Sequence, residues 1–159
     1  MAVVAYHLTW TCYGQWLPGD ERGYVDREHR TPGTPYAEWD PRAVSAAANA
    51  MREAPCWLGD PERRLAAEGI RSACAKQRWG LLALNVQPDH VHALVEAQGV
   101  TGKHAMRVLK AFATRELRAA SPSRRQWWTK GGKVELVQNG THIATVARYV
   151  AHQRFDAVP

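Results

Sequence analysis

The chain has 159 residues, 45% of them hydrophobic and 23% charged, with a net charge of +6. That is enough chain for one globular domain with its own core, taken as residues 1–159. No apolar run nears the roughly 20 residues of a membrane helix, and the opening MAVVAYHLTW lacks a signal peptide's basic flank and longer apolar stretch; a cytoplasmic protein with no membrane partner is expected. Cys12, Cys56 and Cys74 are odd in number and widely spaced, which argues against a disulfide framework or a thiolate zinc site.

Charge is unevenly laid down. Residues 1–60 hold 5 Lys/Arg and 8 Asp/Glu, whereas residues 61–159 hold 16 and 7. A basic C-terminal two-thirds suggests a polyanionic partner, of which nucleic acid is the commonest, against the plainer alternative of a solvated basic face.

VVAYHLTWTCY, residues 3–13, is rich in β-branched and aromatic residues and reads as an opening strand. Residues 14–39 follow with glycines, prolines and no helical or strand period, the signature of a long functional loop. Asp40-Pro41 is a helix start, an N-cap acid before proline at the first helical position, and Asp60-Pro61 repeats the device for a second helix to about Gln77. WGLLALNV, residues 79–86, is apolar on both faces and is expected as a central strand of a covered sheet. A turn at Gln87-Pro88-Asp89 leads into a returning strand, residues 90–97. A helix over about 103–120 carries Met106, Leu109, Ala113 and Leu117 towards the core and Lys103, Arg107, Lys110 and Arg118 on another face, a candidate phosphate track. After a basic loop with Trp127 and Trp128 come a short strand near 133–137 and a last helix over about 141–155.

On a strand, side chains alternate faces, so His90 and His92 point the same way, their attachment points roughly 6.5 Å apart. Two imidazoles so placed can converge on one ion at about 2.1 Å each, although two half-exposed strand histidines also occur by chance. A histidine-triad hydrolase is disfavoured, because Leu94 fills the third alternating slot. In the last helix, Ile143, Val146, Ala147 and Val150 form a core stripe. Tyr149 and Gln153, one turn apart, share a face beside it.

DHVHALV followed by ARYVAHQ, with Tyr149 57 residues beyond His92, together with the opening YHLTWTCYGQWLPGDERGYVD, resembles the HUH single-tyrosine transposases, in particular the REP-associated tyrosine transposases. The likeness runs nearly the whole chain in order. It implies an α+β, ferredoxin-like HUH fold, a central antiparallel sheet flanked by helices. It implies that Tyr149 is the nucleophile that forms a 5′-phosphotyrosine on single-stranded or hairpin DNA. His90 and His92 become metal ligands, Gln153 the third ligand, and the ion Mg²⁺ or Mn²⁺. His152, adjacent to Gln153, and Asp89, as a turn former or an outer partner of a ligand, stay open. Some members of the family act as dimers and others as monomers, so a second copy of the chain is a candidate partner.

DNA of this kind would be held by positive charge and aromatic stacking. The candidates are Lys103, Arg107 and Lys110, then Arg124, Arg125, Trp127, Trp128 and Lys130, and Arg148 beside the tyrosine. The long loop, with Arg22, Arg27 and Arg30 interleaved with acids, suits hairpin or guide recognition, or a dimer contact. Two other functions compete: a non-catalytic DNA-binding protein or repressor on the same fold, and a metal-dependent phosphodiesterase in which water attacks.

Overall fold

The computed structural model describes residues 5–15 and 38–152. Most of the long loop and Gln153 therefore lie outside the described residues. The elements run β1 (Ala5–Thr11), α1 (Pro41–Ala50), α2 (Asp60–Gln77), β2 (Gly80–Val86), β3 (His90–Glu96), α3 (Gly102–Ala120), β4 (Lys133–Val137) and α4 (Gly140–His152).

Asp40 caps α1 as its type predicts, accepting from the Arg42 amide at 3.0 Å. At α2 the cap falls one residue earlier, on Gly59, and Asp60 instead sits in the first turn with Glu62, where carboxylates complement the helix dipole. The second half of the repeated Asp-Pro device is thus a first-turn acid paired with Arg63 at 3.3 Å, not a cap. Thr101 caps α3 by accepting from the His104 amide at 3.1 Å.

The four strands form one antiparallel sheet in the order β2-β3-β1-β4. β3 lies between β1 and β2, and β1 lies between β3 and β4, so two β-α-β units interleave as in ferredoxin-like folds. β2 was expected in the middle of the sheet and is instead an edge strand. Its two apolar faces have another cause: α2 packs against it from one side and α4 from the other. A strand roofed on both faces is selected for apolar residues wherever it stands in the order.

One face of the sheet is closed by α2 and α3 over Leu8, Trp10, Val91, Ala93 and Val95. The expected stripe Met106, Leu109, Ala113 and Leu117 of α3 is buried there, with Ala66, Ile70, Ala73 and Cys74 of α2. The two helices cross closely at Gly69, where an added Cβ would stand 2.5 Å from the Phe112 carbonyl oxygen. The other face carries a thinner core of Ala5, Leu94 and Val137, covered by Ile143, Val146 and Ala147 of α4. The Gln87–Asp89 turn is pinned by amides from neighbouring segments, Leu58 to the Pro88 carbonyl at 2.9 Å and Cys12 to the Asp89 carbonyl at 2.7 Å. Among the described residues no helix is long and apolar enough to cross a membrane.

Candidate active site

The strand period alone sends Val91, Ala93 and Val95 to the α2/α3 core and His90, His92 and Leu94 to the face that carries α4. Register then decides the neighbours. Thr11 pairs with His90, Thr9 with His92 and His7 with Leu94, while Glu135 of β4 pairs with His7. The result is a polar strip across β3, β1 and β4 under α4.

Within that strip the rings of His90 and His92 meet edge to face, with centroids 4.9 Å apart. Each ring is engaged from behind at Nδ1. His90 Nδ1 lies 2.6 Å from Asp89 Oδ1. A carboxylate only accepts, so this nitrogen donates. His92 Nδ1 lies 3.0 Å from His7 Nε2 and 3.2 Å from Thr9 Oγ1. Neither Nε2 has a hydrogen-bond partner among the described residues. His92 is only 7% exposed, and burial, then the neighbouring His90 and His7, push its pKa down to about 4. It is therefore neutral at physiological pH, the form with a lone pair to give. Burial likewise lowers the pKa of His7, against the pull of Glu135.

α4 brings Tyr149 over the same strip. Its ring stands edge-on to His92 at 5.9 Å and to His7 at 6.1 Å, while 53% of the residue stays exposed. The helix is held by Val150, fully buried, and by Asn85 of β2, whose Nδ2 donates to the Val150 carbonyl at 3.0 Å. Asn85 is the register partner of His92 and accepts from Gln87 Nε2. One bond thus ties the end of the tyrosine helix to the row that carries the histidine.

His90, His92 and Tyr149, expected as parts of one site, stand together within one chain. His152 is exposed and bonded to the Arg148 carbonyl of its own helix at 2.8 Å. Four further residues, none of them marked by a sequence motif, belong to this neighbourhood: His7, Thr9, Glu135 and Asn85. The signal for two of them was present, since H-x-T-x-T in the opening strand places polar residues at every second position, on one face of what proves to be a central strand.

The expected DNA-contacting residues divide. Lys103, Arg107, Lys110, Trp128 and Lys130 line one cleft of about 960 Å³ beside α3. Lys110 Nζ donates to the Thr129 carbonyl at 3.0 Å and to that of Gly131, and burial draws its pKa down to about 8. Trp128 keeps its place in the cleft by donating from Nε1 to Thr114 Oγ1 at 3.0 Å. Trp127 differs from expectation: it is 5% exposed and packed in the main core, so its face is not open to a base. Arg124 holds the same loop, donating to the Ala54 and Gln126 carbonyls at 2.9 Å each and lying over the Trp127 ring. Arg125 and Arg148 are exposed. The cleft lies on the α3 side of the sheet and the histidines on the α4 side. Thr129 connects them, lining the cleft and accepting from Thr11, the register partner of His90.

A family model for IS200-like transposases matches residues 53–153, from the approach to α2 to the end of the tyrosine helix. The chain belongs to the IS200-like transposase family. Among solved structures, this transposase is similar to a candidate transposase from Deinococcus radiodurans, at 18% identity and a TM-score of 0.51 over 94% of this chain and 90% of that one. It is also similar to a REP-associated tyrosine transposase bound to a REP hairpin, at 10% identity and a TM-score of 0.53 over 94% of this chain. It spans 66% of that second chain, just under two thirds. At these identities the likeness is one of fold, and it agrees with the ferredoxin-like HUH architecture of the sheet. No curated protein matches the sequence.

Proposed function

We propose that this transposase cuts and rejoins a single DNA strand through a covalent 5′-phosphotyrosine at Tyr149, assisted by a divalent cation, Mg²⁺ or Mn²⁺, at His90 and His92. One observation carries the reading: within a single chain, Tyr149 stands 5.9 Å, ring to ring, from a histidine whose neighbour faces the same way. Residues 1–159 act as one domain in this scheme, and one copy supplies all three side chains.

The donor set suits a cation. Both histidines are engaged at Nδ1 by the protein, the outer-shell pattern that orients metal-binding imidazoles, and neither Nε2 has a hydrogen-bond partner among the described residues. Asp89 then has the role of outer partner to His90 as well as turn former. Gln153, one helical turn beyond Tyr149, is the proposed third ligand. When bound, the cation offsets the charge of the scissile phosphate and orients it for in-line attack.

The chain's own groups supply the rest. The phenolic oxygen of Tyr149 attacks phosphorus, the bond from phosphorus to the 3′ oxygen breaks, and the departing 3′ oxygen takes up a proton as the phenol loses one. The phosphodiester is exchanged for a phosphotyrosine of similar energy, so the reverse attack by another 3′-hydroxyl rejoins DNA without ATP. The cleft lined by Lys103, Arg107 and Lys110 with Trp128 supplies phosphate contacts and a stacking platform, with Lys130 at its wall. Arg125 and Arg148 add exposed charge. The hairpin-bound relative supports a hairpin-containing substrate for this chain too.

The test is a denaturing gel of end-labelled, hairpin-containing single strands incubated with the protein and Mn²⁺ or Mg²⁺. A covalent adduct that vanishes in Tyr149→Phe is the expected result. Cleavage without an adduct, surviving that substitution, indicates attack by water, and binding without cleavage indicates a DNA-binding protein.

A further inference from the structure

The two histidines are oriented by different means. His90 has its carboxylate next door in Asp89. His92 bonds no carboxylate directly among the described residues: its partners at Nδ1, His7 and Thr9, both stand on β1, and a carboxylate on β4 is reached through His7. Lys133 Nζ lies 2.9 Å from Glu135 Oε1, which fixes the carboxylate. Glu135 Oε2 lies 3.1 Å from His7 Nδ1. His7 is 6% exposed and stacked on His92, with ring centroids 5.2 Å apart and planes within 22°.

The direction of the bonds follows from what each atom can do. The carboxylate accepts, so His7 carries its proton on Nδ1 and, as a neutral ring, has a lone pair on Nε2. The 3.0 Å contact between His7 Nε2 and His92 Nδ1 then has His92 donating, with Thr9 Oγ1 beside it as a second acceptor at 3.2 Å. His92 is thereby protonated on Nδ1 and bears its lone pair on Nε2. The opposite assignment would put a proton on His92 Nε2 and remove that lone pair.

We propose that Glu135 and His7 are positioning residues that lock His92 in the Nδ1–H tautomer and hold its ring so that Nε2, with that of His90, faces the cation site. The sheet builds this in: Glu135 and His7 are direct register partners across β4 and β1, and His7 reaches diagonally to His92 on β3. His92 and Glu135 are 43 positions apart in the chain, so only the completed β4-β1-β3 pairing connects them. The role rests on the cation assignment above.

The experiment has two arms on the metal-free full chain near neutral pH. Long-range ¹H–¹⁵N spectra of the labelled protein read the tautomer of His92 directly, and the free Mn²⁺ signal in an electron-spin titration reads affinity. The native chain is expected to show His92 protonated on Nδ1. His7→Gln, whose carboxamide can accept from His92 and donate to Glu135, should keep that tautomer and bind Mn²⁺ within about threefold of native, while His7→Phe, which keeps a ring but no nitrogen, should mix the tautomers and weaken binding by about 10- to 100-fold. A native His92 protonated on Nε2 overturns the proposal whether or not any variant folds, and so does a folded His7→Phe that binds Mn²⁺ as tightly as the native chain. A native chain with His92 protonated on Nδ1 that binds no Mn²⁺ overturns the cation assignment itself, and with it the purpose of the lock.

Discussion

The two faces of the sheet are built to different standards. Towards α2 and α3, Leu8, Trp10, Ile70, Val91, Val95, Leu109 and Leu117 are all sealed from solvent, and two helices meet backbone to backbone at Gly69. Towards α4, a short apolar patch gives way to a strip of histidine, threonine and glutamate, and of the covering helix only Val150 is buried. The first face fixes β3, and therefore His90 and His92, from behind. The second leaves the tyrosine helix resting on few buried apolar groups, beside polar residues bonded to one another. Regions with few buried apolar contacts open at lower free energy than the core that supports them.

The contrast is sharpest in stability. Leu109→Ala, in the sealed face, should cost about 2–5 kcal/mol in urea unfolding, and Val146→Ala, half-buried on the sheet-facing side of α4, about 1 kcal/mol. Equal costs would mean that the two faces are packed alike. Asn85→Ala removes the bond to the Val150 carbonyl and should cost about 1 kcal/mol. Hydrogen exchange should speed in α4 while α3 is unchanged, and equal acceleration in both helices would deny Asn85 its place as the local tie.

The α3 side also carries the cleft, so its charges should affect binding and spare chemistry. Lys103→Ala and Arg107→Ala should each lower the slope of log affinity against log salt for single strands by about 0.7, leaving adduct formation at saturating DNA as it was. Lys110 of the same cleft adds a dependence on pH. Its folded pKa is about 8, below the unfolded value of about 10.5. Between those values the unfolded chain binds more protons, so raising the pH through that window should stabilise the fold. Affinity for DNA should fall over the same rise as the ammonium is lost. Both trends should flatten in Lys110→Met, measured by urea unfolding and by DNA titration between pH 7 and 10.

The elements were legible because each carries a local signal: the Asp-Pro helix starts, the period-two strand around His90 and the three-to-four stripe of α3. The position of β2 was not, because apolar residues report that a face is covered and not which strand lies beside it. His90, His92 and Tyr149 stood out by residue type and spacing. His7 and Glu135 did not, since their relation to His92 exists only through register between strands far apart in the chain. Trp127 and Trp128 are adjacent and alike in sequence, and only the fold sends one ring into the core and the other to the cleft.

In the proposed reaction one chain's Tyr149 works with its own His90 and His92. Mixing Tyr149→Phe chains with His90→Ala chains, adding labelled hairpin DNA and Mn²⁺, and mapping any nucleotide-bearing peptide by mass spectrometry tests it most directly. The native chain alone should yield a single modified peptide carrying the nucleotide on Tyr149, and the mixture should yield none. A modified peptide from the mixture would show that the tyrosine serves a partner's histidines, and an adduct on any other residue of the native chain would contradict the site itself.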